Sequence, residues 1–389
     1  MRTVPSFNPC RAPPTTDRKH NGIERPARQG MHEYIIGKTG AGKSTLAENE
    51  LPRVGGFTFI DPHGQSAENI GSTFSQVIYW EPFDPLCPLG INVFDRVSPS
   101  QRPLVAEQFI SSVKSVYPDN WGPNLEDILR NALYVMLDND TSPVLLPRTL
   151  TDRAYRNRLL QKCTNREVLA FWHDEFPKRK NPDDEIRSTL NKVRIFALNP
   201  ILRRVLSHNS VNLRRIMDKG QRLVLNLAVS RMGEKPSAML GALVINGLYQ
   251  AALARSAIPE TARIDHRLIV DEWQNFATTT FGNILAEARK YKLHLTLLNQ
   301  LTAQIRDEAL LETVLGNVGR LTVFRVGATD ASRLAKELGL PNSEVLVDLA
   351  NFEYFRRTGL TLQKARTVPP APARGFLDGN RARTRARYR

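Results

Sequence analysis

Gly37-Lys38-Thr39-Gly40-Ala41-Gly42-Lys43-Ser44 satisfies the pattern G-x-x-x-x-G-K-[ST] at every fixed position. Apolar Tyr34-Ile35-Ile36 precedes it as a strand, and Ser44-Thr45-Leu46-Ala47-Glu48 follows with good helix formers. This strand–loop–helix frame is what a phosphate cradle requires. Gly37, Gly40 and Gly42, with Thr39, Ala41 and Thr45 between and after them, let the backbone turn its N–H groups inward. The helix N-terminus adds a favourable dipole. Lys43 is expected to reach the β- and γ-phosphates and the Ser44 hydroxyl to ligate Mg²⁺, so ATP and Mg²⁺ are the expected cofactors. A glycine-rich turn that binds nothing would not need this frame.

The chain around this motif has 389 residues, 41% hydrophobic and 24% charged, and can bury a large core. A net charge of +15 points to a polyanionic partner, nucleic acid or an anionic surface. Nine of those charges sit in the two ends, residues 1–30 and 374–389, so the body is only mildly basic. Three scattered cysteines, Cys10, Cys87 and Cys163, fit a reducing compartment and exclude a disulfide framework or a zinc site. No apolar leader is visible at the N-terminus. The longest uncharged run, 237–254, carries Asn246, Gln250 and two glycines and is expected to be a buried helix rather than a bilayer span. The expected location is the cytoplasm, with any membrane association peripheral and through a partner.

Short apolar runs at 33–36, 57–60, 76–80, 223–227, 268–270, 294–298 and 321–324 alternate with helical stretches. That alternation predicts an α/β fold with a mostly parallel sheet. Residues 98–218 interrupt it with helical spacing at 106–116, 125–137, 152–161, 166–175 and 183–196, an expected all-α insertion. The α/β part is then 31–97 plus 219–370, with a hairpin expected at 352–357 and 360–364. Residues 1–30 are expected to be a disordered, basic, proline-rich arm and 371–389 a disordered basic tail.

Leu268-Ile269-Val270-Asp271-Glu272 has the form of an apolar strand ending in two carboxylates. Beside a phosphate loop, Asp271 would hold Mg²⁺ through water and Glu272 would orient and deprotonate the attacking water. The bland alternative is a pair of helix-capping acids. Gln300 ends the next strand and faces the same crevice, either bonding the γ-phosphate or lytic water or closing a turn. Arg289 and Lys290 end an amphipathic helix, where cations serve as dipole partners or, for a planar guanidinium, as a trans-acting arginine finger.

The segments GKTGAGKST (37–45), FIDPHG (59–64), LVLNLAVSRMG (223–233), VDEWQNF (270–276), LAEARKYKL (285–293), LNQ (298–300) and NVGRLTVFRVG (317–327) resemble, in order and spacing, the HerA/FtsK superfamily of DNA-pumping ATPases. Within it, conjugative type IV secretion coupling proteins and related mobile-element ATPases are the most similar. The resemblance spans about residues 31–365. It implies a RecA-like P-loop motor, a homo-hexameric ring with ATP at subunit interfaces, and DNA and a transfer or secretion machinery as partners. It also implies that Arg289 acts in trans, that Gln300 is a sensor, and that the insertion is the all-α domain over one mouth of the ring. Coupling proteins usually begin with transmembrane helices and HerA-type pumps with a β-barrel. The expectation here is a motor lacking both.

The reading is an ATP-driven DNA translocase of conjugative or mobile-element type. A viral-type packaging ATPase is the alternative within the class. Outside it stands a slow ATP-dependent switch that pumps nothing, for which a full trans-acting set of Glu272, Arg289 and Gln300 would be superfluous. Lys178-Arg179-Lys180 is a candidate DNA contact, against the plainer reading of a solvated charge run.

Overall fold

The computed structural model describes residues 30–119, 121–278 and 280–388. Its centre is a nine-stranded sheet in the order β3-β4-β2-β5-β6-β1-β7-β8-β9. The strands are β1 (Glu33–Ile36), β2 (Gly56–Asp61), β3 (Val77–Trp80), β4 (Arg222–Asn226), β5 (His266–Val270), β6 (Leu293–Asn299), β7 (Arg320–Val323), β8 (Glu353–Thr358) and β9 (Thr361–Arg366). The first seven pair in parallel, and β8 and β9 add an antiparallel hairpin at one edge. All seven apolar runs form strands, and the fold is the expected α/β class with a mostly parallel sheet.

Alternating side chains of these strands feed two cores, because a pleated strand sends neighbours to opposite faces. Ile35, Phe57, Phe59, Tyr79, Val224, Ile269 and Leu298 pack on one face with residues of α1 (Lys43–Glu50) and α2 (Gln65–Thr73). Tyr34, Ile36, Ile60, Trp80, Leu225, Val270 and Leu297 pack on the other in a core that runs on into the helical segment. Between β3 and β4 the described residues form helices and no strand, beginning with α3 (Arg102–Val116) and α4 (Pro123–Asp138). Helix Glu234–Leu253, which holds most of the uncharged run, packs against α3 and is largely buried. It is long and apolar enough to cross a membrane, but most of it lies inside this core.

The expectation of a disordered tail at 371–389 is corrected by the structure. Leu377–Tyr388 is a helix laid along β3, the edge strand. Asn380 Oδ1 accepts the Val77 N–H at 3.2 Å and Thr384 Oγ1 the Tyr79 N–H at 3.0 Å, which satisfies donors that an edge strand otherwise leaves open. Arg381 bonds both oxygens of Glu81 at 2.7 Å, and Arg385 bonds Asp84 at 2.8 Å. Composition alone reads as disorder because the partners that order this helix lie about 300 residues away in sequence. The expected N-terminal arm falls almost entirely outside the described residues.

Candidate nucleotide site

The sheet order places β5, β6 and β1 side by side, so the ends carrying Asp271, Gln300 and Gly37 open on one crevice. Parallel sheets bind ligands at this carboxyl edge. Gly40 and Gly42 take left-handed backbone, φ 74° and 112°, as the loop turns into α1. A Cβ on Gly42 would lie 2.8 Å from the Phe352 ring and one on Gly37 would lie 2.5 Å from Phe324 Cβ, so both positions need glycine. Thr39 and Gly40 are exposed, Ala41 is buried, and Ser44 and Thr45 are half-buried at the helix start.

Lys43 is buried and its Nζ donates to the Gly37 carbonyl at 2.8 Å and the Lys38 carbonyl at 3.3 Å. Burial lowers its pKa, opposed by Glu272 and Asp271. Ser44 Oγ donates to Asp271 Oδ2 at 3.0 Å, which brings together the hydroxyl and carboxylate read as the metal pair. Burial, then the charges of Asp61 and Glu272, push the Asp271 carboxyl up to about 6. A site with this much uncompensated negative charge fits a hard divalent cation held by one carboxylate, one hydroxyl, water and phosphate oxygens. Among the described residues no cluster of three or more His, Cys, Asp or Glu could hold a metal by itself.

Glu272 sits at φ 46°, ψ 50°, left-handed for a residue with a side chain. Such backbone persists only where the surroundings hold it. Here its N–H donates to Asp271 Oδ1 at 3.0 Å, and its carboxylate accepts from Gln274 Nε2 at 2.7 Å and Gln300 Nε2 at 2.8 Å. Gln300 Oε1 in turn accepts from Thr39 Oγ1 at 2.7 Å. Thr39, Gln300 and Glu272 thus form one hydrogen-bonded chain from the phosphate loop to the second acid.

Arg289 stands apart from this group. It precedes β6, whereas Gln300 follows it, so about 23 Å of strand separates the two. It is exposed and has no carboxylate partner among the described residues. In Lys178-Arg179-Lys180, Arg179 is occupied: it bonds Asp127 at 2.6 Å and Glu185 at 2.7 Å, which favours a structural role.

Asp61, in the FIDPHG segment, holds a turn by accepting the His63 and Ala67 N–H groups at 2.8 Å. It is also buried near enough to raise Asp271. Glu48 and Phe352 were missed. Burial pushes the Glu48 carboxyl up to about 7. The Phe352 N–H donates to the Ala41 carbonyl at 2.9 Å, tying the hairpin to the loop. A carboxylate one turn into α1 was the available signal for Glu48; for Phe352 there was none.

No protein-family model matches the sequence, and no curated protein matches it by sequence. Solved structures are. The plasmid coupling protein TrwB in complex with ADP and Mg²⁺ superposes with a TM-score of 0.68 at 15% identity, over 90% of this chain and 88% of that one. The unbound bacterial conjugative coupling protein TrwBdeltaN70 gives 0.67 at 14%, over 89% and 86%. VirB4 of Thermoanaerobacter pseudethanolicus gives 0.59 at 16%, over 89% and 91%. At these identities the likeness establishes a shared fold, and it extends over nearly the whole of each chain.

Proposed function

We propose that this chain is an ATP-hydrolysing DNA translocase of the conjugative-transfer or mobile-element type, working as a homo-hexameric ring with ATP at the subunit interfaces. The observation that carries the reading is the hydrogen-bonded chain Thr39–Gln300–Glu272 beside the Ser44–Asp271 pair. Phosphate loop, metal pair, base and sensor meet at one sheet edge, as nucleotide hydrolysis requires. TrwB, whose fold this is, has been solved with ADP and Mg²⁺, which supports the same ligands here. Its description as a coupling protein supports DNA and a transfer machinery as partners.

The loop N–H groups of 37–45 would hold the β-phosphate, and Lys43 would leave the loop carbonyls for the β- and γ-oxygens. Ser44 and Asp271 would hold Mg²⁺, which supplies charge neutralisation across those oxygens when bound. Glu272 accepts a proton from the water that attacks the γ-phosphorus, and its two amide partners hold the carboxylate in position for it. Gln300 shares its amide between that carboxylate and Thr39, so loss of the γ-phosphate would be felt on β6. Arg289, too far along β6 to serve its own loop, acts on the site of a neighbouring subunit. The all-helical segment 98–218, whose core is continuous with that of the sheet, is read as lying over one mouth of the ring.

Turnover measured with and without single- and double-stranded DNA tests the reading. Hydrolysis that either form of DNA stimulates is expected; hydrolysis indifferent to both would remove the translocase.

A further inference from the structure

The C-terminal helix sorts its arginines. Asn380 and Thr384, one turn apart, lie against β3 and cap its open N–H groups. On one flank of that stripe Arg381 and Arg385 are bound to Glu81 and Asp84. On the other flank, at the same one-turn spacing, Arg383 and Arg387 are exposed and have no carboxylate partner among the described residues; Arg383 donates within its own helix to Asn380 Oδ1 at 2.6 Å, and Arg387 lies over the Tyr388 ring. They form one wall of a cleft of about 840 Å³ whose floor is the start of β3 and β4. Lys219 and Arg222 also line it, Arg222 from the start of β4 with its guanidinium over the Phe74 ring, and no acidic side chain is among the described residues that line it. Four cations converge there without a counter-charge. The cleft lies at the amino ends of the parallel strands, at the opposite edge from the phosphate loop, so the nucleotide does not use it.

A surface that concentrates like charge in a concave, partly walled site pays electrostatic repulsion in the free protein and attracts a polyanion. We propose that this cleft holds the sugar–phosphate backbone of nucleic acid, contacting it through Lys219, Arg222, Arg383 and Arg387 without reading sequence. The inference rests on the DNA-translocase reading for the identity of the polyanion. The same fold accounts for the unequal treatment of the arginines: one pair fastens the helix to the motor, and the other faces the ligand.

The test is fluorescence anisotropy of the full chain with a labelled DNA duplex across a salt series, alongside vesicles containing phosphatidylglycerol. Lys219→Gln/Arg383→Gln/Arg387→Gln removes three exposed cations; Arg381→Gln/Arg385→Gln removes two cations that are already paired. The first variant is expected to keep its thermal transition, bind duplex about tenfold or more weaker, and flatten the salt slope by about 2 to 3. The second is expected to melt earlier, and below its transition to keep the wild-type slope. Equal binding and slope in the first variant, or equal losses in both, would overturn the cleft while leaving the translocase reading intact. A wild-type chain that binds the vesicles and no DNA would overturn both.

Discussion

At the scale of single residues, the site turns on how Glu272 is held. A left-handed glutamate costs on the order of 1–3 kcal/mol, and here three hydrogen bonds to its backbone and carboxylate offset that cost. Glu272→Gln is expected to keep ATP binding, since position survives, and to lower turnover by about 10²–10⁴, since the proton acceptor is gone. Steady-state hydrolysis paired with nucleotide-binding titration separates the two effects; normal turnover in this variant would remove Glu272 from the chemistry. Lys43→Ala is expected to fail earlier, in triphosphate binding itself, which the same titration reads. The placement of these residues at the crevice was legible in sequence because each sits in a contiguous pattern, and the strand before it sets its position. Asp61 and Phe352 were not, because what they do depends on elements folded beside them: Asp61 sits close enough to raise Asp271, and Phe352 closes over Gly42 from a hairpin about 300 residues on.

At the scale of elements, the edge strand and the helix upon it depend on Asn380. Its side chain accepts from Val77 N and donates to the carbonyls of Gly71 and Phe74 at 2.8 Å, joining β3, α2 and the C-terminal helix. Asn380→Ala leaves those buried groups unpaired and is expected to cost about 1–3 kcal/mol per group left unsatisfied, in urea denaturation. An unchanged midpoint would mean that the helix is not a stabilising part of the fold. The starts of β1 and β5 make a second prediction. Burial, then His294 and Arg289, hold His32 down to about 3, and burial, then Arg255, does the same for His266. The folded chain therefore keeps both rings neutral where the unfolded chain protonates them, near 6.5, and unfolding takes up protons in between. Their contribution to stability is complete above pH 6.5 and falls as pH drops towards 3. Urea midpoints measured across that range should decline on acidification, less steeply in His32→Gln. The seven parallel strands were readable because each is a short apolar run; the C-terminal helix was not, since its ordering contacts are long-range and its composition is that of a solvated tail.

At the scale of the whole molecule, the separation of Arg289 from Gln300 along β6 bears on the proposal of a shared site, because it puts Arg289 out of reach of its own phosphate loop. A ring with heterologous interfaces brings one subunit's far edge to the next subunit's crevice. Arg289→Ala alone is then expected to lose about 10³-fold in turnover, as trans-acting arginines do. The most direct test mixes that variant with Lys43→Ala under conditions where subunits exchange. Each is nearly inactive alone, but in a mixed ring some interfaces pair an intact phosphate loop with an intact arginine. Turnover on equal mixing should recover to about a quarter of wild type if sites fire independently. A chain that stays monomeric with ATP and DNA, and an Arg289→Ala variant that hydrolyses ATP at the wild-type rate with no gain on mixing, would contradict the ring motor.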